Sequence, residues 1–341
     1  MVYMWYSISN GADAINYYDQ SLIHAGGFKP GTEFVYFFTS LFTRSFGFSY
    51  LGTFLVYNCI GSCGLLAFGS CVHSATWRKS RLIRQAGWLV LLLPSVSFWS
   101  AAIGKDAIAF MSACVFLWSA IQIRQRVGWM VFAVLAMVLV RPHMAAVMVI
   151  ALAGGVVFSR GVSMPVRLSL AFVGIVGAVL IVPFALEYSG LGEAQGTSDI
   201  ADFVEQRQGY NLTGGGAIDI AQMSPPLKLL TYLYRPLPFE AHSAASLAAS
   251  VENVFLILLT IAMLAALVKR HGQRTEIKWV LWLYAGGAWS ILAVTTANLG
   301  IAARQKWMFL PIMLYLALMT LGRLKRKRMP ELQAPWEHRG Q

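Results

Sequence analysis

The sequence predicts an all-α polytopic integral membrane protein, and three observations carry that prediction. Of 341 residues, 57% are hydrophobic and only 12% are charged, about half the charged share of an ordinary soluble domain. Mean hydropathy is +0.60. Apolar runs of helical length recur along the whole chain, and in a bilayer a helix satisfies every backbone polar group within itself.

In chain order the apolar runs are 49–73, 87–103, 107–123, 128–140, 144–158, 168–186, 247–268, 279–297 and 307–322, which read as about nine spans. Several lie near the lower limit of ~17–20 residues for a crossing. Ahead of the first run, residues 10–47 read as an outer loop with a short amphipathic helix at 33–43. The polar stretch 187–246 is too small and too glycine-rich to bury a core of its own, so it reads as a long extracytoplasmic loop. Residues 323–341 form a basic tail, and 1–341 is a single transmembrane domain. Residues 1–10 are too short to cross. The chain therefore starts outside, or a further helix lies upstream. Cys59, Cys63, Cys71 and Cys114 all fall inside apolar runs and lack the partners of a metal set, which reads as packing.

Charge sets the orientation. Segments 74–86, 124–127, 159–167, 269–278 and 323–341 hold 18 of the 27 basic residues and 3 of the 15 acids. One side thus carries a net +15 and the other −3, which together make the stated +12. By the positive-inside rule the first set is cytoplasmic, including the C-terminus. The basic excess is a topology signal, with no nucleic-acid partner implied. The same parity splits 128–158 into two helices that turn at Arg141-Pro142-His143, because one long helix would invert every later cluster. Pro142 lacks the amide proton that a continuous helix needs.

The unusual polar groups then gather on the outer side. They are Asp13, Asp19, Tyr17 and Tyr18 in the first loop; Lys105 and Asp106 after Gly104; Arg141 and His143; Tyr232, Tyr234, Arg235, Glu240 and His242 in the long loop; and Asn298, Arg304 and Lys306 before the last run. Ionisable groups near hydrocarbon are costly and mark cavities or substrate paths. Arginine's planar fork suits phosphate. Each group also has a plain reading. Asp13 and Asp19 can be solvated loop acids, and Asp106 can simply start a helix. Arg141 can snorkel, Arg235 and Glu240 can form an ion pair within a rigid turn, and Arg304 and Lys306 can anchor an interface. The triplet Asn211-Leu212-Thr213 and glycines 214–216 read as loop.

The 12–18 stretch, with Lys29-Pro30-Gly31-Thr32-Glu33-Phe34, resembles the first outer loop of Wzy/EpsG-type polysaccharide polymerases. Arg141-Pro142-His143-Met144-Ala145-Ala146 resembles the histidine-containing turn in the middle of that family. The stretch 298–306 is similar to its late arginine segment. Residues 94–99 with Gly104-Lys105-Asp106 also look like the wider GT-C class of membrane glycosyltransferases, which use polyprenyl-phosphate donors. In that class an acid of the first outer loop is catalytic or metal-binding, which would fall on Asp13 or Asp19. The chain departs from the pattern in the Arg235–Glu240 turn and in the apparent lack of a first helix.

The expected function is a glycosyltransferase or polysaccharide polymerase at the outer face of a bacterial inner membrane, with a polyprenyl-(di)phosphate-linked glycan as donor. Catalytic candidates are Asp13, Asp19, Asp106, His143 and Glu240. Substrate-binding candidates are Lys105, Arg141, Arg235, Arg304, Lys306, Tyr17 and Tyr234. A polymerase needs no metal, whereas a GT-C transferase would hold Mg or Mn on the loop acids. Partners would be membrane lipids, the lipid-linked glycan and other polysaccharide assembly proteins. Two other classes stay open: a transporter or flippase for an anionic glycolipid or organic anion, and a non-catalytic scaffold of an export complex.

Overall fold

Helices form along the apolar runs, several of them through internal glycines and one through Pro183, and Pro94 and Pro142 mark two of the breaks. The computed structural model describes residues 2–24, 26–157, 164–189, 197–210, 216–220, 222–268 and 278–322. The helices are α1 (Val2–Asn10), α2 (Asp13–Ile23), α3 (Thr32–Thr43), α4 (Tyr50–Thr76), α5 (Arg81–Leu91), α6 (Pro94–Ser100), α7 (Lys105–Ile121), α8 (Ile123–Val140), α9 (Pro142–Val157), α10 (Met164–Ser189), α11 (Thr197–Tyr210), α12 (Pro225–Tyr234), α13 (Ala244–Val268), α14 (Lys278–Thr295), α15 (Leu299–Gln305) and α16 (Leu310–Thr320). Short 3-10 turns occupy Pro238–Glu240 and Lys306–Met308. Among the described residues there is no strand, only an isolated bridge between Ala217 and Asn298. The sequon at Asn211, the glycines at 214 and 215, the basic cluster 269–277 and the tail 323–341 lie outside the described residues.

Among the described residues, four helical stretches are long and apolar enough to cross a membrane: Tyr50–Thr76, Arg81–Ser100, Ile123–Val140 and Ala244–Val268. Pro142–Gly155, Gly174–Tyr188 and Leu310–Thr320 are shorter apolar helices. Large aliphatic and aromatic side chains stay exposed along their outer faces, among them Leu55, Leu66, Phe132, Leu135, Leu258 and Ile261. Water would not tolerate so continuous an apolar surface, and lipid does. The described residues are helical, and this exposed apolar surface is compatible with a helical membrane protein.

At the centre stands α7. Every residue from 107 to 117 is buried, as expected of a helix that is apolar all round. Its neighbours are α4, α8 and α16. Between membrane helices, close approach depends on small residues rather than on the hydrophobic effect. A Cβ on Gly61 would lie 2.2 Å from the Ser100 carbonyl oxygen, and one on Gly155 would lie 2.4 Å from Val280 N.

Two breaks set the site. The run 87–103 is a helix pair, because Pro94 cannot donate to the preceding turn; α5 stops and α6 starts with Pro94 in its first turn. The turn expected at Arg141 is present. Arg141 leaves the helical region (φ −147°, ψ 76°) ahead of Pro142, so α8 and α9 are separate helices.

The stretch 187–246 differs from the long loop expected. It contains the end of α10, α11 and α12. α12 packs on α13, α14 and α15, and Gln208 Nε2 donates to the Val294 carbonyl at 2.9 Å. Ile218 N–H donates to the Ala297 carbonyl at 2.9 Å, and Leu299 N–H to the Gly216 carbonyl at 2.8 Å. Glycine content hid the ties at 216–218, which are backbone hydrogen bonds that no side-chain pattern announces.

At the opposite end, Lys79 is buried in the α4–α5 turn. Its Nζ donates to the carbonyls of Leu318, Met319 and Leu321 at 2.6, 2.9 and 2.7 Å. The last carbonyls of a helix have no partner within it, and a cation there also complements the helix dipole. Lys79→Met should lower the stability of the detergent-solubilised protein by about 1–3 kcal/mol, read as a fall in the thermal midpoint. Arg78→Met, a change at the exposed neighbour, should leave it almost unmoved.

Candidate functional site

Four elements far apart in the chain deliver alternating charges to one place. Asp106 sits in the first turn of α7, where an acid complements the helix dipole. It follows Gly104, whose φ of +145° and close contact with the Tyr17 ring (3.0 Å to a notional Cβ) both demand glycine. Arg141 Nη2 donates to Asp106 Oδ1 at 2.8 Å, with side chains only 11% and 14% exposed. Arg304 of α15 approaches the other oxygen, Nε to Oδ2, at 3.1 Å. Its Nη1 donates to Asp13 Oδ2 at 2.7 Å, and the Asp13 side chain is 62% exposed. The result is a chain, Asp13–Arg304–Asp106–Arg141, running from an accessible acid to a buried base pair of guanidinium and carboxylate.

Each member is held by local structure. Asn298 Oδ1 accepts from Gly300 N–H (2.9 Å) and Ile301 N–H (3.3 Å), which caps α15 and fixes the helix bearing Arg304. Gly31 N–H donates to the Leu139 carbonyl at 2.8 Å, docking the first loop on the end of α8 beside Arg141. A Cβ on Gly31 would overlap the Tyr188 hydroxyl. Tyr17 lies in the field of the same four charges. Burial first, then Asp106 and Asp13, push its phenol up to about 12, so it remains a neutral donor. Asp106, followed by Asp13, holds the Arg304 guanidinium still more firmly protonated than usual.

The cluster keeps unspent hydrogen-bonding capacity. Arg141 Nε and Tyr232 Oη are buried and, among the described residues, have no hydrogen-bond partner. Arg304 Nε is near enough to Asp106 for an ion pair but turned out of hydrogen-bond alignment. Lys105 also feels Arg141, Asp106, Arg304 and Asp13. Counting it, three cations meet two acids. Unsatisfied buried donors are costly, and an anion entering here would satisfy them. A cavity of about 10 Å³ beside Tyr232 and Asn298, between α12, α14 and α15, has room for about one water. The α12 layer is therefore closed over the cluster's flank.

Of the residues expected at the site, Asp13, Tyr17, Lys105, Asp106, Arg141 and Arg304 come together. His143 adjoins them, in the field of Arg141, Arg207 and Lys105. The others do not join. Arg235 donates from Nε to Glu240 Oε2 at 3.1 Å, and Leu237 N–H donates to the same oxygen at 2.8 Å. Those bonds, the Arg235 bond foremost, hold the Glu240 carboxyl below its usual range. Arg235 and Glu240 brace a turn rather than face the Asp106 cluster. Tyr234 donates its hydroxyl to Thr260 at 3.0 Å. Asp19 is exposed on α2 and, among the described residues, has no ion pair. Lys306 is buried and donates to Asn253 Oδ1 at 2.8 Å, so it is no interfacial anchor.

Lys306 belongs to a second polar group that sequence reading passed over. Glu252 is buried and accepts from Ser95, from its N–H at 2.8 Å and from its hydroxyl. Trp307 Nε1 donates to Ser95 Oγ at 3.1 Å, and Asn253 Nδ2 to the Pro236 carbonyl at 3.0 Å. The cost argument that singles out Arg141 applies equally to an acid and an amide inside the run 247–268. Among the described residues, no three His, Cys, Asp or Glu side chains converge as metal ligands. Asp13 and Asp106 are instead joined through Arg304, which does not fit the divalent-cation site that the GT-C likeness implies, and no step is derived through a metal.

Asp106→Asn should cost about 3–5 kcal/mol of stability, because it leaves the buried Arg141 without its counter-charge and Arg304 with only the exposed Asp13. Asp13→Asn, at an exposed pair, should cost no more than about 1 kcal/mol. Chemical or thermal unfolding in detergent compares the two, and equal costs would contradict the burial assigned to Asp106.

Comparison with protein-family models, with curated proteins and with solved structures yields no match to this chain.

Proposed function

We propose that the chain is a membrane-embedded glycosyltransferase or polysaccharide polymerase that binds the phosphate of a polyprenyl-linked glycan at the Asp106 cluster. One observation carries the reading: Arg141, Arg304 and Lys105 converge beside an accessible carboxylate, and the Nε atoms of both arginines make no hydrogen bond among the described residues. In this proposal the nine apolar runs cross a bacterial inner membrane, the basic turns and tail face the cytoplasm, and the cluster faces outward. That arrangement rests on the asymmetry of Lys and Arg.

The roles follow from the bonding. Asp106 is committed to two arginines and serves to orient them. Asp13 gives one oxygen to Arg304, and its other oxygen makes no hydrogen bond among the described residues. Asp13 is therefore the acid that takes the acceptor's proton. The acceptor hydroxyl attacks the anomeric carbon, and the bond from that carbon to the phosphate oxygen breaks. The electron pair leaves on the phosphate, where Arg141, Arg304 and Lys105 stabilise it more than they stabilise the bound donor. Residues 187–246 act as the cover, because the closed layer of α12 against α15 must part for a lipid-linked sugar to enter.

The transporter alternative draws on the buried Glu252, Asn253 and Lys306, whose polar side chains lie inside the helical bundle. The two readings differ in product. With a polyprenyl-diphosphate-linked oligosaccharide supplied to the purified protein, transfer gives longer or relocated glycan, whereas transport moves the lipid unchanged. Arg141→Lys and Arg304→Lys keep the charge but lose the fork. Each should reduce transfer by about 10²–10³-fold, the usual cost of one lost transition-state donor, with thermal midpoints near that of the parent. Full transfer in both folded variants would remove the phosphate clamp.

A further inference from the structure

A cleft of about 450 Å³ lies at the other end of the molecule, between α4 and α5. Its walls are two stripes at helical spacing. Gly69, Val72, His73 and Thr76 come from α4, and Arg81, Arg84, Gln85, Trp88 and Leu91 from α5. The helices touch on an adjacent face, where a Cβ on Gly87 would meet Val72 at 3.0 Å and Thr76 at 3.2 Å.

Polarity changes along the cleft. Near the α4–α5 turn it is lined by Arg81, Arg84, Gln85, His73 and Thr76, and one to two turns deeper by Gly69, Val72, Trp88 and Leu91. Arg81 and Arg84 stand one helical turn apart, a spacing that puts their side chains side by side. Both are exposed, and among the described residues neither has an ion pair. The neighbouring cations are otherwise used. Lys79 turns inward to the α16 carbonyls, and the Arg78 guanidinium lies 5.7 Å from the centre of the Trp77 ring. Trp77, 55% exposed, stands at the α4–α5 turn beside the arginines, and an exposed tryptophan of this kind marks the level of lipid headgroups.

We propose that this cleft binds one anionic phospholipid from the bilayer, with the phosphodiester between Arg81 and Arg84 and the first part of an acyl chain along Gly69 and Leu91. A free phosphate would use the arginines and leave the apolar depth unfilled. A neutral lipid would fill the depth and leave two cations unmatched. Only an anionic amphiphile matches both ends, and basic recesses between membrane helices are a recurrent place for such lipids. The site is separate from the Asp106 cluster and does not depend on glycan transfer.

Native mass spectrometry of the full chain in an uncharged detergent tests it, by titration with dioleoylphosphatidylglycerol or dioleoylphosphatidylcholine. One phosphatidylglycerol per chain should bind about tenfold or more tightly than phosphatidylcholine, from two cations near the headgroup. The double variant Arg81→Gln/Arg84→Gln should lose that preference. Arg124→Gln, which removes an exposed cation from another basic turn, should keep it. Unchanged selectivity in the double variant, equal loss in Arg124→Gln, or displacement of the lipid by millimolar inorganic phosphate would overturn the proposal.

Discussion

A carboxylate buried among apolar helices must be matched by cations that reach it, and two cations buried beside it must share it. Asp106 is in that position between Arg141 and Arg304. The constraint reaches outward from there. The α8–α9 break at Pro142 exists where Arg141 must point at α7. The Asn298 cap exists where Arg304 must leave α15 toward the same carboxylate. Gly104 allows Tyr17 to lie against the start of α7, and Gly31 docks the first loop on the end of α8. Removing the negative charge at Asp106 would set the two guanidinium groups against each other as well as against their low-dielectric surroundings. Four distant stretches of chain are thereby fixed relative to one another by one acid.

Much of this was legible in the sequence, for identifiable reasons. Arg141 stood out because an ionisable group interrupts an apolar stretch, and Pro142 indicated the break. Asp106 and Lys105 stood out because they follow a glycine at the head of an apolar run. Pairing was not legible. Nothing in the order of residues says that Arg304 bridges Asp13 and Asp106, across separations of nearly three hundred and two hundred positions. Arg235 carries the same chemistry as the other two arginines, but its partner Glu240 lies only five residues away, and the ion pair within a rigid turn that this spacing suggests is the one present. Glu252 was overlooked although its signal was equal to that of Arg141. A single acid among aliphatic residues barely lowers the mean of a run, yet it costs as much to bury. Over 187–246 glycine weakens every propensity argument, while residues 216–218 are held by backbone ties to Ala297 and Leu299.

The two ends of the molecule use their cations in opposite ways. At the Lys79 end, carbonyls at the end of α16 consume one charge entirely, and Arg81 and Arg84 stay available at a cleft open to the surroundings. At the Asp106 end, the charges are largely spent on one another, and what remains is directional: single N–H groups aimed inward and one accessible carboxylate oxygen. A site of the first kind selects by net charge and shape, and it tolerates many headgroups. A site of the second kind is pre-organised, since its guanidinium planes are already fixed before any ligand arrives and little reorganisation remains to be done. That difference is the physical reason to look for chemistry at the Asp106 cluster and for lipid anchorage at the α4–α5 cleft, rather than the reverse.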